Sequence, residues 1–425
     1  MTLLPLLKEN SRTLKSLCAS CGLPKTGAKS VLVSRLREAA QQFQPIPPSA
    51  RILSIDLGLK NFAFSLLTPA PLPKTTKSKT KQKPLPSLSF ADPAKPSALL
   101  TSPVHLHAWH RLDLTLPLDA AQSSSPLPPT PPARNRKSKK AEAEPEEDST
   151  PTKSKRKPEP STSTSTAFTP TTLASTTATL VQTVLLPLRP THILIERQRF
   201  RTGGASAVLE WTVRVNQLEA MLHAAFAMAH FQAHSTEIEI DMAEGGKGKR
   251  NGVDGGGKVV VESVTPKVVA GYLFPSAGAK DEDELGDEED TEEEESAADK
   301  KKRKKKATSG AAAAYKLLKK EKVNMLSEFL ATENDGGGAG LVKADGKQAE
   351  EVVGLFLEAV ERKRVGKRRA KRKEGEEENY AVEDMVSKMD DLSDSVLQGM
   401  VWLQWQRNLE GLIQERPELL EPVEE

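Results

Sequence analysis

"RILSIDLGLKNFAFSLL", residues 51–67, sets a single acid inside an otherwise apolar, strand-like run. Ile52, Leu53 and Ile55 precede Asp56, Gly58 and Asn61 mark a tight turn, and Phe62 to Leu67 resumes the apolar pattern. The pattern predicts a β-hairpin buried on at least one face. A carboxylate in such a place is costly unless it is paired or bound to a metal ion. A strand-end Asp that accepts backbone hydrogen bonds in the turn is the ordinary alternative, and the rest of the chain has to decide between them.

Patterned segments recur on the C-terminal side. "HLHAWHRLDL" (105–114) alternates like a strand, "LASTTATLVQTVLLPL" (173–188) has helical spacing, and "THILIERQRF" (191–200) reads as a buried strand running into polar residues. Within 206–231, Val208, Trp211, Val215, Leu218, Leu222, Ala225 and Ala229 recur at three/four spacing and predict an amphipathic helix. "KVVVESVTP" (258–266) is a further strand, and helices are expected over 312–330, 349–361 and 383–410. Strand hairpin, third strand, helix, strand, helix, strand, helices: this order predicts an α/β fold, a mixed sheet flanked by helices.

Between these segments lie stretches that cannot bury enough apolar surface to offset chain entropy. They fall at about 68–99, 119–168, 243–257, 276–311 and 361–379, and include "PPTPPARNRKSKK", "DEDELGDEEDTEEEE" and "KKKRKKK". We read them as long disordered insertions into one folded core. Of the 425 residues only 37% are hydrophobic and 4% aromatic, so the folded part is expected to be about 200 residues, an ordinary domain size.

The two cysteines, Cys18 and Cys21, form neither a disulfide framework nor a complete zinc site, which suits a reducing compartment. No apolar run reaches the length of about 18 residues needed to span a membrane. The seven histidines show no metal-ligand spacing, and the glycine tracts lie in low-complexity sequence, so neither a zinc hydrolase nor a phosphate loop is indicated.

Carboxylates carry the chemistry instead. Asp56 lies on the first strand and Glu196 ends the apolar run "HILIE". In "KMDDLSDSVLQGMVWLQW" (388–405), Asp390 or Asp391 precedes Asp394 by four or three residues, and either spacing puts two acids on one helix face. Singly, each acid has an ordinary explanation: Glu196 pairing with a neighbouring Arg, the Asp cluster at a helix N-terminus. Together they fit a site for Mg²⁺, a hard cation that prefers oxygen ligands and serves phosphoryl transfer in pairs.

With these residues in hand, the chain resembles the fungal mitochondrial Holliday junction resolvases, cruciform-cutting endonucleases distantly similar to bacterial RuvC. Three blocks carry the resemblance: "SIDLGLKNFAFSLL", "ILIERQRFRTGGASAVLEWTVRVNQLEAML" and "KMDDLSDSVLQGMVWLQW". The resemblance implies an RNase H-like (retroviral-integrase) fold with a mixed five-stranded sheet over residues 50–415. It places the family's acids on Asp56, Glu196 and within Asp390, Asp391 and Asp394, as ligands of Mg²⁺ (or Mn²⁺). The basic residue usual before the Asp-Asp pair is absent, since Met389 stands between Lys388 and Asp390.

Residues 1–45 resemble a SAP motif, a small α-helical DNA-binding module. "LKSLCASCGLPKTGAKSVLVSRLREA" carries Leu14, Leu17, the "GLPKTG" turn, Lys29, Leu32 and Leu36 at the expected places. Cys18 and Cys21 then become small core residues.

The resemblance implies an endonuclease that resolves four-way DNA junctions by paired symmetric nicks. Such an enzyme is expected to act as a homodimer on junction and duplex DNA, with no membrane and no small-molecule substrate. Lys25, Lys29 and Arg35 of the module, and Arg197, Arg199 and Arg201 beyond the Glu196 strand, are the expected phosphate contacts. The module is expected to add general duplex affinity, with junction choice left to the core. Two other classes stay open: a non-catalytic SAP-containing DNA-architecture protein, and another RNase H-like nuclease acting on RNA–DNA hybrids. The family resemblance, together with a basic start that has few acids, favours the mitochondrial matrix, against a nuclear alternative from "KKRKKK" (301–306).

Overall fold

The computed structural model describes residues 9–70, 100–116, 169–198, 210–243, 259–275, 317–331, 340–370 and 379–420. Nearly all of the first four expected insertions, with Arg199, Arg201 and the basic run 301–306, lie outside the described residues. The fifth is partly described, and its first ten residues continue a helix to Ala370.

The N-terminal module is a helical pair, α1 (Ser11–Ser20) and α2 (Lys29–Gln42). Asn10 caps α1, its side chain accepting from Thr13 N at 2.8 Å. The core begins with β1 (Ile52–Asp56), β2 (Phe62–Pro69) and β3 (Val104–Leu112). There follow α3 (Pro170–Thr179), which runs on as a π-helical turn (Leu180–Leu185), then β4 (His192–Glu196), α4 (Glu210–Ala243), β5 (Val260–Val264) and α5 (Pro266–Leu273). A helix over 317–330 is α6, and β6 (Val342–Ala344), α7 (Lys347–Ala370) and α8 (Asn379–Glu415) complete the chain.

The sheet is mixed, in the order β5-β4-β1-β2-β3-β6. Strands β1, β2 and β3 form an antiparallel meander, while β4 is parallel to β1, β5 to β4 and β6 to β3. The sheet therefore has six strands where five were expected. The added edge strand is three residues, "VKA", too short to show any periodicity.

The hairpin is buried on both faces, and strand alternation decides what each face receives. Leu53 and Ile55 of β1, with Ile193 and Ile195 of β4, pack against α3, the π-helical turn and α4 through Leu173, Leu180, Leu218 and Leu222. Ile52 and Leu194 point the other way, into the layer formed by α5, α6, α7 and α8. Ser54, Asp56 and Glu196 share their parity. The same alternation that builds a three-layer core thus turns both strand acids toward α8.

Helix α8 is buried almost all round from Met389 to Trp405. It lies against the sheet because Gly399 leaves room for Leu67 and Ser54. Buried Gln398 donates to Ser54 Oγ at 3.2 Å and to Ile55 O at 3.3 Å, while Trp109 Nε1 donates to Leu392 O at 3.0 Å.

The far end of α8 holds the N-terminal module. Leu14, Leu17, Cys18, Leu32 and Leu36 form one apolar cluster with Leu409, Leu412 and Leu419. Cys18 and Cys21 are buried thiols, as expected, and burial pushes them up to about 11 and about 12. Asn408 Nδ2 donates to Ser20 O at 2.7 Å, and Arg416 pairs with Glu9 at 2.9 Å. Gly22 sits at φ 73, and a Cβ there would fall on the Trp405 ring. Gly22→Ala is therefore expected to combine left-handed strain with overpacking, a loss of about 2–4 kcal/mol, read as a lower midpoint in urea denaturation.

Candidate metal centre and nucleic-acid interface

Asp56 and Glu196 end adjacent parallel strands, beside the turn where β1 gives way to β2. The register pairs Ile55 with Ile195, so the next two residues emerge together. Glu196 Oε2 accepts from Leu57 N at 3.3 Å, and the Asp56 carboxyl shares a hydrogen bond with Glu196. Helix α8 closes the site from above with Asp390, Asp391 and Asp394.

The structure brings all five expected acids to one region and gives them different surroundings. Burial holds Asp56 well above the usual carboxylate range, helped by the charges of Glu196, Asp394 and Asp391. Burial also raises Glu196, partly offset by the hydrogen bond from Asp56. Asp391 is pushed up to about 7, first by burial and then by the Asp390 charge. Asp390 is raised by burial against the opposing pull of Lys319. Asp391 and Asp394 are the helix acids that Asp56 feels, whereas Asp390 turns toward α6 and pairs with Lys319.

Two lysines of α6 complete the cluster, and neither was expected from the sequence. Lys319 pairs with Asp390, and Lys322 Nζ lies 2.6 Å from Asp394 Oδ1. Burial alone would lower the Lys322 ammonium, but Asp394, Asp56 and Glu196 together hold it above the ordinary lysine value. Asn61 was read as a turn residue, and its Oδ1 also accepts from Arg111 at 3.2 Å, a side chain whose charge reaches Asp391. Glu219 of α4 was missed as well; its Oε2 accepts from Gln198 N at 3.0 Å and holds the segment leaving β4.

The donor set suits a hard divalent cation: five carboxylates, all oxygen, four of them raised by burial and mutual repulsion. Lys319 pairs with the buried Asp390 carboxylate and offsets part of the cost of burying its charge. Among the described residues no trio of His, Cys, Asp or Glu closes round one ion as it stands. Asp394 is engaged by Lys322 instead.

Unpaired negative charge in the site predicts an unusual pH response. Between about pH 4 and 7 the folded protein holds a proton on Asp391 that the unfolded chain has released, and the raised Asp56 acts in the same direction, so unfolding releases protons and stability falls as pH rises. Without metal, we expect the protein to lose a few kcal/mol between pH 5 and pH 8, at ~1.4 kcal/mol for each pH unit a group is displaced. Mg²⁺ at pH 8 is expected to restore the loss. Urea denaturation in EDTA and in Mg²⁺ at both pH values measures this.

The expected phosphate contacts have different fates. Arg197 is exposed beside Glu196, its backbone N–H donating to Val264 O at 2.7 Å. Lys25 and Lys29 lie in and just after the loop between α1 and α2. Arg35 is used internally: its Nη1 donates to Pro24 O at 2.9 Å and Thr26 O at 2.5 Å, holding that loop shut. It shapes the basic loop.

The sequence profile of the family described as "Mitochondrial resolvase Ydc2 / RNA splicing MRS1" matches residues 52–412, the whole span from β1 to the last turns of α8. The chain belongs to this family. The profile of the SAP domain matches residues 11–41, which are α1, the loop and most of α2. A curated relative, "Cruciform cutting endonuclease 1, mitochondrial" of Schizosaccharomyces pombe, is 26% identical over 228 residues. That alignment covers 53% of this chain and 57% of the relative, so the chain spans little more than half of that protein's length. The crystal structure of the yeast mitochondrial Holliday junction resolvase Ydc2 aligns with 97% of this chain and 99% of its own, at 19% identity and a TM-score of 0.44. The family and the curated relative both carry a mitochondrial description, the location expected from the resemblance and the N-terminal composition together. Among the described residues no helix is long and apolar enough to cross a membrane.

Proposed function

We propose that this protein is a metal-dependent, structure-selective endonuclease that resolves four-way DNA junctions in mitochondria by paired symmetric nicks. The observation that carries the reading is the convergence of Asp56 and Glu196, from the ends of two strands, with Asp391 and Asp394 from a helix pinned across them. Burying that many carboxylates costs stability, and the two lysine pairs with Asp390 and Asp394 leave Asp56, Glu196 and Asp391 without a cation of their own.

Asp56, Glu196 and Asp394 would hold Mg²⁺ or Mn²⁺, with Asp391 and Asp390 at its margin. Bound there, a divalent cation supplies charge stabilisation and a more acidic water for attack on a phosphodiester. The protein's share is placement. Strand register sets Asp56 beside Glu196, Gln398 fixes α8 over β1, and Leu57 N–H orients Glu196 Oε2. Asp56 and Glu196, which share a hydrogen bond, would both have to be ionised to hold the cation. Arg197, exposed next to Glu196, with Lys25 and Lys29 of the module, would hold backbone phosphates and make binding strongly salt-dependent. A junction has two-fold symmetry, and two symmetric nicks call for a homodimer.

The family description also names RNA splicing, for which a nucleic-acid-binding protein without cutting activity would suffice. Intact acids at every expected position favour the enzyme. Glu196→Gln tests this: nicking in Mg²⁺ is expected to disappear while junction binding by gel shift persists. Full activity in that variant would overturn the assignment.

A further inference from the structure

The negative charge of the cluster is answered from within the chain by α6. Lys319 and Lys322 are one turn apart and reach α8 from the same helix that buries Val323, Leu326, Phe329 and Leu330 in the core. Packing therefore sets where the two ammonium groups go. The Lys322 side chain is only 16% exposed, and a cation so placed is desolvated at a cost that close carboxylates must offset. A simple structural ion pair would involve Asp394 alone. Lys322 Nζ contacts Asp394 of α8 at 2.6 Å and also feels the charges of Asp56 and Glu196, from β1 and β4.

We propose that Lys322 is the resident counter-cation of the metal-free site: its ammonium engages Asp394 among the strand acids, and a divalent cation binds by displacing it. The inference rests on reading the acids as a metal site. It accounts for how the carboxylates can be buried together, with the Lys322 ammonium 2.6 Å from Asp394. A lysine suits the exchange because a compact charge on a flexible four-carbon stem can withdraw without moving the helix. Metal affinity is then a competition, weakened by whatever free energy the Lys322–Asp394 contact contributes.

The test is a titration of the full-length protein with Mn²⁺, followed by calorimetry, for the unaltered chain, Lys322→Met, Lys322→Arg and Lys320→Met. Lys320 is exposed on the opposite side of α6 and serves as the control. Lys322→Met is expected to tighten Mn²⁺ binding about tenfold or more, while Lys322→Arg and Lys320→Met stay within about twofold of the unaltered chain. Unchanged or weaker binding in Lys322→Met overturns the proposal.

A second measurement needs no variant: amine acylation of the unaltered protein, read by mass spectrometry with and without Mn²⁺. Labelling of Lys322 is expected to rise several-fold on metal addition while that of Lys320 stays constant; flat labelling of Lys322 overturns the proposal. Failure of the metal-site reading looks different. In that case the unaltered chain binds no Mn²⁺, or Asp56→Asn binds it as well as the unaltered chain does.

Discussion

Asp56→Asn is expected to reduce nicking of a four-way junction by about a thousandfold or more, roughly 4 kcal/mol of barrier, while gel-shift affinity for the junction changes by only a few-fold. Asparagine keeps the volume and removes the negative charge that a divalent cation needs. DNA affinity is expected to rest mainly on basic groups such as Arg197 and Lys25, which the change does not touch. Stability provides an internal control. In the metal-free protein Asp56 is buried and acts as hydrogen-bond donor to Glu196. The asparagine amide can make that donation without the cost of burying a second charge. The variant is therefore expected to melt at the same temperature as the unaltered protein or higher in EDTA, and to lose the stabilisation that Mg²⁺ gives at pH 8. An acid whose removal abolishes cutting but does not destabilise the fold is present for chemistry. A variant that unfolds would mark Asp56 as structural.

Deletion of residues 1–45 is expected to destabilise the core as well as weaken DNA binding. From the sequence, this module looked separable, an accessory that adds duplex affinity. The structure instead seats it on the last turns of α8 and the 3-10 turn that follows, where it covers Leu409, Leu412 and Leu419 and sets Gly22 against Trp405. Each large apolar side chain left in water forfeits roughly 1.5–3 kcal/mol, so the loss should approach 5 kcal/mol and lower the melting temperature by about 10 °C or more. The same helix carries Asp390, Asp391 and Asp394, so fraying at its far end also loosens the metal site. The truncated protein is expected to need more Mg²⁺ for half-maximal nicking. A truncated chain with unchanged melting temperature and metal requirement would show that the module is only tethered.

Elements with strong periodicity were legible in the sequence: the hairpin around Asp56, the "HILIE" strand, the helix bearing Leu218 and Leu222, and the acidic helix α8. Asp56 and Glu196 stood out because a charge interrupting an apolar strand has few cheap explanations. What escaped had no such contrast. In "KLLKKEKVNML" helical spacing puts Lys319 and Lys322 on the side bearing Val323 and Leu326, but nothing in it says that this side meets Asp390 and Asp394 of α8. Strand β6 is too short to alternate. Arg35 is indistinguishable from a phosphate contact until its guanidinium is seen on the Pro24 and Thr26 carbonyls. The docking of the module was hidden for a similar reason, since Leu409 and Leu412 simply continue the apolar face of α8. Between Asp390 and Asp391, sequence spacing could not choose. Burial and charge separate them, with Asp391 toward Asp56 and Asp390 toward Lys319.

The central claim is that these carboxylates cut DNA junctions with the help of a divalent cation. Its most direct test is to incubate the full-length protein with a synthetic four-way junction, a linear duplex of the same sequence and an RNA–DNA hybrid, each in Mg²⁺ and in EDTA. The account predicts paired nicks at symmetric positions on opposing strands of the junction in Mg²⁺, little cutting of the duplex or hybrid, and none of any substrate in EDTA. Cutting of the junction in EDTA, or equal cutting of the hybrid in Mg²⁺, would contradict it.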